Sequence, residues 1–209
     1  AIQAYSGMMS ISGHAETGPV RSGYFSVDMS TALNAAFAIT AALLRRTNTG
    51  EGQRVDVSML DTAMFMQSPQ MTGYLVTGKA PELNGNASPT KQPTSNVFAS
   101  SNGYVQVIAM KETQVQALFT ELGMPERYAE FNEPTVRLAR RDEVHGLIAP
   151  MIAAQTTEYW LEALDAIGVP VSAIQDFPTI AEEPQLAHRE VFVEQAHHLH
   201  PNQSVKVVR

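Results

Sequence analysis

The sequence contains no cysteine in its 209 residues. A disulfide framework and a thiol nucleophile are both excluded, and the composition fits a cytoplasmic location. Basic residues are scarce as well. Fourteen Lys and Arg stand against 21 Asp and Glu, for a net charge of −7, which argues against a general nucleic-acid binder. A small anionic ligand is still compatible with that balance, because a local cluster of amides or an arginine suffices to hold one. No segment reads as a signal peptide or a membrane span: the most apolar helical stretch is interrupted by Ser30, Thr31 and Asn34. Internal repeats and low-complexity tracts are absent. His197, His198 and His200 invite a metal site, but no partner carboxylate is placed with them, and a surface turn is the stronger reading. Gly50-Glu51-Gly52 is a turn rather than a phosphate loop, since the residues after it alternate like a strand where a helix is required.

Apolar residues make up 44% of the chain and charged residues 17%, enough for a buried core in one large or two small domains. Residues 1–10 carry Ile2, Tyr5, Met8 and Met9 at helical spacing. A Gly- and Pro-containing loop over 11–26 leads into a long helix from Asp28 to Arg46, which Gly50 ends. Asp is a preferred N-cap, so Asp28 is expected to cap this helix, at the end where the dipole favours negative charge. Small residues dominate its middle: Ala32, Ala35, Ala38 and Ala42 among others.

Gln53–Met59 alternates and predicts a short strand, and 60–77 returns to helix. Residues 78–95 are the most turn-rich stretch, a long loop and the best boundary in the chain. A hairpin over Asn96–Ser100 and Gly103–Met110 turns through Ser101-Asn102-Gly103. Helices follow over Glu112–Leu122 and 134–155, with a turn at Glu126–Glu130 between them. Another helix is expected to start with Thr157 as its cap and to end at Gly168. Val169–Ile174 reads as a strand whose early Pro170 suits a sheet edge. Short helical turns over 176–187, a strand over Val191–Gln195 and a final strand from Val205 complete the reading. Helices with interspersed strands indicate an α/β or α+β protein.

An ordered series of motifs resembles the family III CoA-transferases, which include formyl-CoA transferase, carnitine CoA-transferase and α-methylacyl-CoA racemase. The series begins with Ser6-Gly7-Met8-Met9-Ser10-Ile11-Ser12-Gly13 and the small-residue helix opened by Asp28. It continues with Thr49-Gly50-Glu51-Gly52-Gln53-Arg54-Val55-Asp56-Val57-Ser58 and Asp61, then Asn102-Gly103-Tyr104-Val105. Trp160-Leu161, Gly168-Val169-Pro170-Val171 and Pro184-Gln185-Leu186 complete it. The resemblance implies an α/β fold of that family in fragment form: long helices with a small, separate, sheet-containing domain. Residues 1–78 would belong to a large domain with the catalytic aspartate and 79–95 to a linker. Residues 96–190 would form the small α+β domain, and 191–209 would begin a return to the large one. The N-terminal CoA-binding portion and the C-terminal end would lie outside this chain, and the full-length protein would be an interlocked homodimer.

The same resemblance places Asp28 at the catalytic aspartate. There its carboxylate would attack an acyl-CoA thioester and pass through an aspartyl anhydride and an aspartyl-CoA thioester to a carboxylic acid. CoA thioester would be substrate rather than resident cofactor, and no metal is expected. Met59 matches a position close to bound CoA, and Glu112 matches a glutamate near the active site of racemase-like members. The resemblance also makes Gln92 a candidate residue of the CoA site; it lies in the loop 84–93, where formyl-CoA transferases carry a glycine run. Here Ser88-Pro89-Thr90-Lys91 replaces that run while Gln92-Pro93 is kept, which argues against formyl-CoA transferase itself. Two alternatives stay open: an acyl-CoA racemase using Asp28 as acid and base, and a non-catalytic remnant or assembly module.

Overall fold

The computed structural model describes residues 1–197 and 199–209. Contacts divide the chain into two compact units, Ala1–Asn96 and Val97–Arg209.

The first unit opens with α1 (Ile2–Tyr5) and a 3-10 turn (Met8–Ser10). The helical pattern of residues 1–10 is thus split, because Gly7 takes a left-handed φ of 82°. Two short strands, β1 (Gly13–His14) and β2 (Gly18–Pro19), pair antiparallel. The chain then enters α2 (Ser26–Thr49). Its C-terminus is where the sequence places it. Gly50 adopts φ 75°, and its amide donates to the Arg46 carbonyl at 2.8 Å. Its N-terminus is not. Asp28 is the third residue of the helix, and the cap position is held by Phe25 with no side-chain cap bond.

Thr31, Ala35, Ala38 and Ala42 form the half-buried stripe of α2 at helical spacing. Against it lies α3 (Met59–Met66), where Ala63 and Thr62 are buried and Thr62 Oγ1 accepts from the Asn34 amide at 3.4 Å. Leu33, Phe37 and Leu44 on the other side of α2 are exposed. Contrary to the expectation from Ser30, Thr31 and Asn34, α2 is long and apolar enough to span a membrane by length and composition, a test that core helices of soluble proteins also pass.

Gln53–Met59 is not a strand. Burial alternates as a strand's would, with Val55 and Val57 half-buried and Arg54 and Asp56 exposed, but the segment joins no ladder among the described residues. Met59 instead starts α3. Ser58 caps it, its Oγ accepting from the amides of Leu60 (3.1 Å) and Asp61 (3.2 Å). A second helix, α4 (Ser68–Thr77), follows after a break at Gln67. Pro69 has no amide for the Phe65 carbonyl, so one continuous helix is disfavoured there. Residues 78–94 form the expected loop.

The second unit holds nearly all of the buried apolar side chains. Strands β3 (Ser95–Ala99), β4 (Tyr104–Ile108) and β5 (Val171–Ala173) form a sheet in that order. Val105 and Val107 point inward while Tyr104 and Ile108 are exposed, the alternation of a half-buried strand. β5 is an edge strand, antiparallel to β4 with Val105 opposite Ala173 and Val107 opposite Val171. Pro170 sits just before it, where its missing amide costs no ladder bond.

Helices α5 (Glu112–Glu121), α6 (Pro134–Ala139), α7 (Arg141–Ala153) and α8 (Thr157–Ala166), with a 3-10 turn over Pro125–Glu130, supply the rest of this core. Leu118, Phe119, Ile148, Ile152, Trp160 and Leu164 are buried together, and Trp160 Nε1 donates to the Ile152 carbonyl at 2.8 Å. The helix expected over 134–155 is two helices broken at Arg140, whose φ and ψ of −109° and 30° leave the helical region. Asp142 and Glu143 then fill the first turn of α7, where the dipole favours them. Two short helices, α9 (Phe177–Ala181) and α10 (Pro184–His188), lead to a hairpin of β6 (Phe192–His197) and β7 (His200–Val208). His197 and His200 face each other in this hairpin with ring centroids 5.0 Å apart; His198 lies outside the described residues.

The cap of α8 is Thr156, not Thr157: its Oγ1 accepts from the Tyr159 amide at 3.2 Å. The hairpin turn adds a second cap. Asn102 Oδ1 accepts from the Thr157 amide at 2.8 Å, and its Nδ2 donates to Glu158 at 2.9 Å. That Asn102 bond is the main cause holding the Glu158 carboxyl below its ordinary range. Asn102→Ala is expected to lower stability by about 1 kcal/mol through loss of the helix cap. The Glu158 contribution is present above the ordinary glutamate range and is lost as pH falls through the depressed value. Urea titrations at neutral and acid pH should show the penalty shrinking in acid.

Candidate active site

Asp28 is exposed on the first turn of α2. No hydrogen bond or ion pair engages its carboxylate among the described residues. The amides of Val27 and Asp28 likewise have no acceptor there, so the open end of the helix presents unbonded donors beside the carboxylate. Together they border a cavity of about 860 Å³. Met59 lines the same cavity, so the structure brings these two predicted residues together. Val27 and Phe25 contribute apolar wall, and Arg21 and Asp28 are the charged side chains on it.

A side-chain clamp sets this geometry. Gln3 Oε1 accepts from the Ser22 amide at 3.1 Å, and Gln3 Nε2 donates to Ser22 Oγ (2.8 Å) and Ser26 Oγ (3.1 Å). The two serine hydroxyls lie 3.0 Å apart, and Ser22 Oγ also donates to the Tyr24 carbonyl at 3.0 Å. Ser26 is buried. Its hydroxyl is thus committed to Gln3 and Ser22, while its amide donates to the Tyr24 carbonyl at 2.9 Å. The chain therefore turns into the helix two residues before Asp28, which explains why Asp28 is not the cap. The helix dipole still favours a negative charge at this position.

Gln92 and Glu112 are the remaining predicted residues. Gln92 is half-buried in the loop and does not line the cavity of Asp28; its carbonyl accepts from the Ser95 amide at 3.0 Å. Lys91, in the same loop, pairs with Glu82 at 3.0 Å rather than standing free in solvent. The loop is tied down by the Gly85 amide, 2.7 Å from the Gly13 carbonyl. Gly85 has φ 54°, and a Cβ there would meet His14 Nδ1 at 2.7 Å, so a side chain would be strained and would force the His14 ring to shift.

Glu112 belongs to the second unit and is the first residue of α5. It receives a bidentate pair from the buried Arg137, with Nη1 to Oε2 at 2.9 Å and Nη2 to Oε1 at 2.5 Å. Arg137 Nη1 also donates to the Phe131 carbonyl at 2.6 Å. Glu112 is thereby a structural partner that pins α5 to α6. No cluster of His, Asp and Glu suited to a metal ion occurs among the described residues. Sequence reasoning missed Gln3, Arg21, Ser22 and Ser26. The available signal was an arginine and two serines in the loop that delivers the chain to a candidate nucleophile.

Long helices with small separate sheets define a mixed α/β protein. The chain belongs to CoA-transferase family III, whose family model matches residues 1–209. It is 31% identical over 192 residues to a succinyl-CoA:mesaconate CoA-transferase from Haloarcula marismortui, covering 92% of this chain and 48% of the relative. It is 30% identical over 210 residues to an acetyl-CoA:oxalate CoA-transferase from Acetobacter aceti, covering 99% and 54%. The crystal structure of a CAIB/BAIF family protein from Brucella suis superposes with a TM-score of 0.79 at 29% identity, covering 92% of this chain and 51% of that one. The chain thus spans about half the length of the relatives it matches.

The clamp makes a specific prediction. Gln3→Ala removes three hydrogen bonds and leaves the buried Ser26 hydroxyl with Ser22 alone. At a net 0.5–1.5 kcal/mol per bond, the expected loss is about 2 kcal/mol. Amide hydrogen exchange at Ser22 should accelerate by a factor of roughly 30 relative to the second unit, whose rates serve as the internal control.

Proposed function

We propose that the full-length protein moves CoA between an acyl-CoA thioester and a carboxylic acid, with Asp28 as covalent nucleophile. The observation that carries this reading is an unpaired, exposed carboxylate on a cavity wall, beside unbonded helix amides, in a chain of this family. In the first step an Asp28 oxygen attacks the thioester carbonyl, and the C–S bond breaks to release CoA thiolate. The thiolate then attacks the Asp28 carbonyl of the anhydride, giving an aspartyl-CoA thioester and the free donor acid. The acceptor carboxylate attacks that thioester, and the thiolate returns to the acceptor's acyl carbon. The helix amides supply donors for the oxyanion formed at each attack.

Met59 borders the cavity where the thioester would lie. Mesaconate and oxalate, named for the two relatives, are dicarboxylic acids, and a dicarboxylate is the acid we assign to this site. The interlocked homodimer and the cytoplasmic location belong to the same proposal for the whole protein.

Borohydride added to full-length protein and acyl-CoA should reduce the aspartyl thioester and mark Asp28 in the peptide map. Asp28→Asn should lose this mark and lower transfer by about a thousandfold or more. Transfer retained by Asp28→Ala would contradict the mechanism. Exchange of the acyl α-proton without any acceptor acid would point to the racemase reading instead.

A further inference from the structure

Arg21 shares the wall of the Asp28 cavity and is its positively charged side chain among the described residues. No hydrogen bond or salt bridge occupies its guanidinium there. Its backbone is held in place all the same. The next residue, Ser22, is bonded to Gln3 through both amide and hydroxyl, and Gln3 also holds Ser26 on the first turn of α2. One side chain therefore fixes the Arg21 loop and the Asp28 turn to each other.

The chemistry at Asp28 sets an electrostatic problem that such a cation answers. Asp28 meets the acyl-CoA thioester as a carboxylate, whereas it meets the acceptor carboxylate as a neutral aspartyl thioester. A dicarboxylate, or the acyl group made from one, brings a second negative charge that does not react. Like charges at a few ångströms in a partly apolar cavity repel by several kcal/mol. A guanidinium offsets this and presents a planar fork matched to a carboxylate.

We propose that Arg21 binds the non-reacting carboxylate of a dicarboxylic substrate and so selects diacids over monoacids, with the Gln3–Ser22–Ser26 clamp setting its position relative to Asp28. The assignment rests on the reading of Asp28 as nucleophile. The phosphates of CoA share the anionic chemistry that Arg21 recognises. They are separated from the thioester by the whole pantetheine arm, however, whereas the second carboxylate of a short diacid lies a few bonds from the reacting carbon.

The test uses full-length wild type, Arg21→Met and Arg21→Lys, with acetyl-CoA as donor and succinate, mesaconate or butyrate as acceptor. Wild type should prefer the diacids to butyrate. In Arg21→Met the ratio of kcat/KM for succinate over butyrate should fall about tenfold to a hundredfold, the loss expected for one charge-assisted pair. Arg21→Lys should recover part of the ratio by keeping the charge without the fork. An unchanged ratio together with a raised KM for acetyl-CoA would assign Arg21 to a CoA phosphate and overturn the proposal. Equal losses on all three acids, or a wild-type preference for butyrate, would overturn it as well. Borohydride marking of Asp28 in wild type is measured in parallel. Marking present with an unchanged ratio defeats the Arg21 assignment alone, while marking absent defeats the nucleophile reading beneath it.

Discussion

The geometry of the site depends on the amide group of Gln3. Its oxygen and nitrogen bridge Ser22 and Ser26, so the end of a glycine-containing loop and the start of a 24-residue helix are held by one side chain. Ser26 is buried, and in that setting an unsatisfied hydroxyl costs more than the bond returns, which makes the arrangement hard to relax. The helix accordingly starts at Ser26, the amides of Val27 and Asp28 have no acceptor among the described residues, and Asp28 projects from the first turn instead of closing it. A capping aspartate would commit its oxygens to its own helix. Three positions past the cap, the carboxylate is left available for chemistry.

The two units solve the problem of stability differently. The second buries a conventional core between its helices and a three-stranded sheet, and it commits its deeply buried cation, Arg137, to Glu112 and the Phe131 carbonyl. The first packs α2, with its half-buried stripe of small residues, on α3, where Ala63 and Thr62 are buried, and adds side-chain bonds to backbone. Gln67 is an example, its Nε2 donating to the Ser6 carbonyl at 2.7 Å across 61 residues. A unit built this way leaves large apolar side chains such as Phe37 and Leu44 exposed on the far side of α2.

What could be read from the sequence was whatever local periodicity decides. The alternation of Val105 and Val107, the edge position of the strand after Pro170 and the end of α2 at Gly50 all follow from neighbouring residues. What could not be read depends on partners far along the chain. Asp28 looked like a cap because nothing local shows that Gln3 has engaged Ser26, 23 residues away. Ser58 ends a stretch whose alternation predicts a strand, yet its hydroxyl serves the amides of Leu60 and Asp61. Glu112 is paired with the buried Arg137 across 25 residues, a contact that no local pattern shows. Arg21 shows the same dependence: an arginine in a loop has no periodicity, and the cavity and the Gln3 clamp that link it to Asp28 form only in the fold.

The central claim is that Asp28 becomes part of the reacting system instead of merely orienting it. Isotope tracing tests this directly. In the anhydride route, an acceptor acid labelled with heavy oxygen in its carboxylate leaves one labelled oxygen on Asp28 in each turnover and carries the other into the new thioester. Peptide mass spectrometry of the full-length protein after turnover should find the label on the Asp28 side chain and on no other carboxylate. Product formed with Asp28 unlabelled would mean that the acid reacts with the thioester directly, and Asp28 would not be the nucleophile.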